Sequence, residues 1–233
     1  MRPETRSPMK QFVISLLVAS AVSEILFVYS AMQHHSLVFD YLSINLGLAW
    51  IPLIFAWRLT KILKTKLWSS WEALGLSVLW LVFLPNSFYM ISDYIHLQDV
   101  SQNNINYDAI MLTSFIFTAV ILGFSSLYLV HLHLKRRLDS VTAASWIATV
   151  LFVCSIAIYF GRDLRWSSWN ILTNPGGLLI DFLDRVRHLS SYPDMITTVL
   201  AFFVLLSTFY NLLWKAVYLL QINTLSNKPN IIK

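Results

Sequence analysis

Six runs of about 20 predominantly apolar residues, each bounded by charge, constrain this chain more than any other feature, because runs of that length match the hydrocarbon thickness of a bilayer. They lie at approximately 11–31, 37–57, 73–92, 109–132, 141–161 and 195–220. Backbone in hydrocarbon must satisfy its own N–H and C=O groups, and a single run does so only as an α-helix. The pattern therefore predicts an all-α polytopic membrane bundle, with residues 1–233 forming a single integral-membrane domain. Composition agrees, since 12% of residues are charged where soluble domains carry roughly 25%. The first run is longer than the about 7–15 residues of a signal-peptide core and no small-x-small site follows it, so it reads as an anchored helix. A single cysteine, Cys154, excludes a disulfide framework and a cysteine zinc site.

Lys and Arg sort by connection. Arg2, Arg6, Lys10, Arg58, Lys61, Lys64, Lys66, Lys135, Arg136, Arg137, Lys215, Lys228 and Lys233 fall on one side, and Arg162, Arg165, Arg185 and Arg187 on the other. Cytoplasmic loops carry the basic excess, which predicts an inner-membrane protein with both termini in the cytoplasm. The net charge of +5 is thus a topology signal. It predicts membrane lipids as partners, with weak attraction of anionic lipid at the inner side, and no nucleic acid. Trp57, Trp68 and Trp71 at one boundary and Trp166 and Trp169 at the other suit headgroup anchors. The last outer connection, 162–194, is long enough to hold structure of its own. Asn174 and Pro175 supply a cap and a first-turn residue, after which Leu179, Phe182, Leu183, Val186 and Leu189 recur at helical spacing. This predicts a short amphipathic interfacial helix, with Asp181 and Arg185 as an i,i+4 pair on its polar face.

Polar groups are costly inside a bilayer, so their depth is informative. Glu24, Asn45 and Asn86 fall in the outer halves of their spans, Asn211 falls on the inner side, and Asp40, Asp93, His96, Arg162, Asp163 and Arg165 crowd the outer boundary. Pro85 should kink the third span and free carbonyls that need other partners. Beyond it, Asn86, Tyr89, Asp93 and His96 share a helical face. An aspartate three residues before a histidine can orient the imidazole and raise its basicity for proton transfer, and it can equally cap a helix end. Arg162 and Arg165, flanked by Trp166 and Trp169, suit a phosphate or carboxylate, and they suit an ion pair to Asp93 or Asp163 that clamps two helix ends. Asp93-x-x-His96-x-x-Asp99 has no motif that fixes a metal geometry. No pattern specifies a cofactor. His131, His133 and Cys154 read as structural, Glu24 as an acid paired to a neighbour's hydroxyl or amide or as a proton-coupling carboxylate, and Ser167 and Ser168 lack a nucleophile elbow.

Two strings carry a resemblance. Leu84-Pro85-Asn86-Ser87-Phe88-Tyr89-Met90-Ile91-Ser92-Asp93-Tyr94-Ile95-His96-Leu97 resembles the LPN-x-x-Y-x-x-x-D-x-x-H-L signature of a bacterial multi-pass membrane family known as a domain of unknown function. Gly161-Arg162 through Trp169 is similar to that family's GR-x-x-R-W-x-S-W signature. Asn106-Tyr107-Asp108 and Gly123-Phe124-Ser125-Ser126-Leu127 are also similar, and the likeness runs from about residue 40 to 220. It implies a protein of the bacterial cytoplasmic membrane and transfers no reaction. The chain departs from the pattern at Phe88, where the family commonly has Pro, at Ser167, where it has Asn, and at Asn170, where it has Asp.

These residues support an enzyme or binding protein with an outer-face pocket for an anionic lipid headgroup or lipid-linked envelope precursor. In that reading His96 and Asp93 are the catalytic pair, and Arg162, Arg165, Asn86, Tyr89 and Trp169 bind the ligand. The competing reading is a scaffold or assembly protein whose polar cluster is a clamp. A transporter using Glu24 is disfavoured, because the inner halves of the spans offer little polar path.

Overall fold

The computed structural model describes residues 8–34, 39–99, 105–164, 166 and 173–226, without the side chains of residues 8, 34, 96, 98, 99 and 223–226. The described residues are predominantly helical, with no strand among them. The elements are α1 (Pro8–His34), α2 (Asp40–Ile62), α3 (Trp71–Tyr89), a 3-10 helix (Met90–Asp99), α4 (Ile105–Leu134), α5 (Ser140–Asp163), α6 (Pro175–Arg187), a 3-10 turn (Leu189–Ser191) and α7 (Pro193–Ser226). Six helices, α1 to α5 and α7, are long and apolar enough to cross a membrane, so the chain is a multi-pass membrane protein. Successive spans alternate in direction. One end of the bundle carries Asp40, Asp93 and Asp163, and the other carries Arg58, Lys61, Lys64 and Lys135–Arg137.

The helices overrun the apolar windows. α7 has 34 residues, about 50 Å at 1.5 Å per residue, against a hydrocarbon core of about 30 Å. Hydrogen bonding along the backbone does not stop where hydrocarbon does. The same overrun starts α4 at Ile105, so Asp108, which lies outside the apolar run predicted at 109–132, is helical and fully buried.

α4 is the most buried span and packs against α1, α2, α3 and α5. Small residues permit this. A Cβ on Gly123 would lie 2.8 Å from Ser87 Cβ and 2.9 Å from Phe88 Cε1, so only glycine lets α3 approach so closely. Trp80 Nε1 donates to Ser126 Oγ at 2.6 Å across the same seam. Pro52 inside α2 deprives the Leu48 carbonyl of its helical donor. In the adjacent position, Ser87 Oγ donates to the Ala49 carbonyl at 3.2 Å and ties α3 to α2.

α1 is the peripheral span and is held by a polar ladder. Trp50 Nε1 donates to Ser20 (3.1 Å), Ser23 meets Ser114 (2.8 Å), Ser43 donates to Glu24 (2.7 Å), Tyr107 donates to the Leu26 carbonyl (3.0 Å) and Ser30 donates to Asp108 (2.7 Å). Lipid is as apolar as leucine and supplies little drive for association, so such bonds supplement van der Waals packing. Glu24 is therefore partnered by a hydroxyl. At the basic end His131, 5% exposed, shares a 2.9 Å hydrogen bond with Tyr210 and stacks on Trp214 at 3.9 Å. Cys154 is fully buried.

Asp139 caps α5, accepting from the Val141 and Thr142 amides at 3.0 Å each. Hydrogen bonding from the Thr142 side chain, joined by these amides, holds the Asp139 carboxyl below its ordinary value. A carboxylate with a lowered folded-state pKa stabilises above its unfolded value and loses that contribution as pH falls through the folded one. Asp139→Ala should accordingly melt below wild type at neutral pH, and the gap should close as pH is taken below about 4. Melting curves recorded between pH 3 and 7 check this.

Asn174 caps α6 by accepting from the Gly177 amide at 3.1 Å, as its position before Pro175 predicts. Leu178 and Phe182 pack toward Tyr159 and Phe160, while Leu179, Ile180, Leu183 and Val186 remain exposed, as an amphipathic helix lying against the bundle end requires. The expected Asp181–Arg185 pair does not form. Asp181 accepts from Trp166 Nε1 at 2.9 Å, and the Arg185 guanidinium lies 4.5 Å from the Tyr192 ring and 5.9 Å from that of Tyr159. Exposed i,i+4 pairs contribute only about 0.3–0.5 kcal/mol, so a tryptophan donor and an aromatic stack readily displace one.

Candidate functional site

The sequence of α3 builds the centre of the site. Pro85 breaks its hydrogen-bond ladder, and Asn86 Nδ2 donates to the Phe83 carbonyl at 3.1 Å in the turn so disturbed. The α-helix ends at Tyr89 and winds on as ten residues of 3-10 helix, where runs beyond 3 or 4 residues are uncommon. Ser92 Oγ donates to the Tyr89 carbonyl at 2.6 Å inside this junction. Tighter winding places residues three apart on one line, and it carries Asp93 inward, where it is 2% exposed.

The end of α5 meets this junction. A Cβ on Gly161 would sit 3.3 Å from the Tyr89 ring and 3.4 Å from the Trp166 carbonyl, so the glycine lets the ring lie against the α5 backbone. The next residues, Arg162 and Asp163, are exposed. Neither makes an ion pair among the described residues. The chain then turns back through Leu164 and Trp166, whose amides both reach the Phe160 carbonyl. The indole of Trp166 fastens α6 above them through Asp181.

Between these elements lies a cavity of about 1420 Å³. Its polar lining is Tyr41 and Asn45 from α2, Asn86 and Tyr89 from α3, Ser92 and Asp93 from the 3-10 helix, and Gly161, Arg162, Asp163 and Trp166 from the end of α5 and the turn after it. Its apolar wall includes Leu48, Val82, Val153, Ile156 and Ala157, and α6 contributes Pro175, Leu178, Leu179 and Phe182. Drug-sized pockets span about 300–1,000 Å³, so this space admits something larger.

Of the residues singled out from sequence, Asn86, Tyr89, Asp93 and Arg162 line this one cavity, and Asn45 and Asp163 join them. His96 lies within the 3-10 helix, but its side chain is outside the described residues, as are Arg165 and Trp169 altogether. Glu24, engaged with Ser43, is not in the lining. Tyr41 and Ser92 were missed, although Tyr41 stands one turn before Asn45 and that spacing could have found it. Nothing in the sequence pointed to Leu48, Val153 or Ala157, which are indistinguishable from lipid-facing residues.

No curated protein and no solved structure matches the chain. Residues 44–209 do match a family, and that stretch contains the whole cavity lining except Tyr41. The chain belongs to DUF1361, a family of proteins of unknown function.

Proposed function

We propose that the cavity binds the anionic headgroup of a lipid or lipid-linked envelope precursor on the extracytoplasmic side of the cytoplasmic membrane. The observation that carries this reading is the division of the lining: a polar rim with an arginine that makes no ion pair among the described residues, over walls of aliphatic side chains. An amphiphile with a negative head is the chemistry complementary to both. The side follows from the basic residues gathered at the opposite end of the bundle. Arg162 and Arg165 hold the anion, Asn86 and Tyr89 supply hydrogen bonds, Trp169 flanks the head, and His96, oriented by Asp93, is the proton-transfer group if the bound ligand is processed. A clamp would instead engage Arg162 in an ion pair across helix ends.

The test is thermal unfolding in a neutral maltoside detergent with and without added phosphatidylglycerol. Ligand at about 100 times its Kd stabilises the folded state by about 2.7 kcal/mol, a readily measured rise in melting temperature. Arg162→Gln, a change at an exposed position, should melt like wild type without lipid, within about 0.5 kcal/mol, and should lose most of the lipid-induced rise. An undiminished rise in Arg162→Gln overturns the reading.

A further inference from the structure

The shape of the cavity says how such a ligand enters. α2 packs on α3 and α4, and α5 packs on α3, α4 and α7, so α3 lies between α2 and α5, which make no extended contact with each other. The cavity is thus a groove whose floor is one face of α3 and whose flanks are α2 and α5. That floor continues past the cavity: Val78, one turn before Val82 on the same face, is 61% exposed, and Gly75 before it has nothing within 4 Å of a Cβ position. On the α5 flank Val153 is 39% exposed. At the acidic end, by contrast, α6 lies over the groove, seated by Phe182 against Phe160 at 6.0 Å between ring centroids and pinned by Asp181 to Trp166.

We infer that the site takes a chain-bearing anionic amphiphile sideways from the bilayer through the opening between α2 and α5, with its acyl chain along the Leu48, Val82, Val153 and Ala157 wall and its head beside Arg162. This inference rests on the proposed function and adds the route of entry and the place of the chain along the groove. The end nearest water is roofed by α6 and the flank facing hydrocarbon is open, which is the arrangement a ligand already dissolved in the membrane requires. The aliphatic wall leads from the exposed face of α3 to the polar rim without a polar step, so a chain can slide along it while its head stays at headgroup depth.

The experiment compares glycerol phosphate with butyl, octyl and dodecyl phosphate as stabilisers of the full-length wild type, by thermal unfolding in maltoside detergent. The expected result is a shift that grows with chain length, at least tenfold in apparent affinity from butyl to dodecyl. Val153→Trp, which narrows the flank at a position exposed to lipid, should remove the chain-length increment and leave the butyl phosphate response in place. The wild-type series decides by itself should that variant not fold, and Ala157→Leu then serves to place the chain. Glycerol phosphate matching dodecyl phosphate overturns lateral entry and leaves of the proposed function only its anion site, filled from water. Dodecanol matching dodecyl phosphate overturns the inference too, because it identifies ordinary boundary lipid in the groove. A failure of every anion to shift the wild type sinks both.

Discussion

Gly123→Val should destabilise the bundle more than any other single glycine replacement. The added Cβ alone would meet Ser87 Cβ at 2.8 Å and the Phe88 ring at 2.9 Å, and neither neighbour can retreat. Phe88 is fully buried and its ring sits 5.1 Å from that of Phe124, while Ser87 is bonded to the Ala49 carbonyl of α2. Overpacking of this kind costs about 1–3 kcal/mol, and a branched side chain belongs at the upper end. The consequence spreads to the site, because the α3 turn that presents Ser87 and Phe88 to α4 also presents Asn86 and Tyr89 to the cavity. Gly47→Ala and Gly75→Ala are the matched comparisons: both glycines are helical and exposed, with nothing within 4 Å of a Cβ. Replacing a helical glycine by alanine removes a penalty of about 0.5–1 kcal/mol, so these two should melt at or above wild type. Thermal unfolding of the three variants in one detergent is the check, and a Gly123→Val protein as stable as Gly75→Ala would refute the α3–α4 seam described above.

Asp108→Ala carries the second large effect. Its carboxylate is fully buried and accepts from Ser30, itself 1% exposed, at 2.7 Å. Truncation leaves the serine hydroxyl buried without its acceptor, at a cost of about 1–3 kcal/mol. Asp108→Asn keeps an acceptor oxygen in place and should lose less. Ser30→Ala removes the other partner, and the double variant should be less destabilised than the sum of the two single ones, since the bond can be lost only once. The readout specific to this contact is α1. If Ser30–Asp108 holds the peripheral span, amide hydrogen exchange along α1 around Ser30 should accelerate in Asp108→Ala and stay at the wild-type rate in Arg162→Gln. Additive melting shifts, with no change in that exchange, would mean the bond does not fasten α1.

Asp108 also marks where reading along the chain stopped being sufficient. It lies just outside the apolar run that the sequence marks, yet it is buried and accepts from Ser30, 78 positions away. The site was legible in part for the opposite reason. Asn86, Tyr89 and Asp93 are close in sequence on one helix and its continuation, so spacing alone grouped them, and the charge of Arg162 beside Gly161 made that turn conspicuous among apolar runs. The Asp181–Arg185 pair failed because spacing permits an ion pair without choosing it over the indole of Trp166, which the fold brings from 15 residues away.

What the sequence determined by itself was the number of spans and their approximate bounds. Hydropathy is a sum of transfer energies over neighbouring residues, and the bilayer tests that sum locally, before any helix meets another. The order in which the helices pack was decided only in three dimensions. A soluble helix announces its buried face by the contrast between apolar and polar sides, whereas a helix in lipid has apolar residues on both. Phe88 is fully buried and Val78 is 61% exposed on the same span, although both are apolar. The groove between α2 and α5 exists because both pack on α3, an adjacency set by shape, by glycine at position 123 and by a few hydroxyl bonds between distant positions.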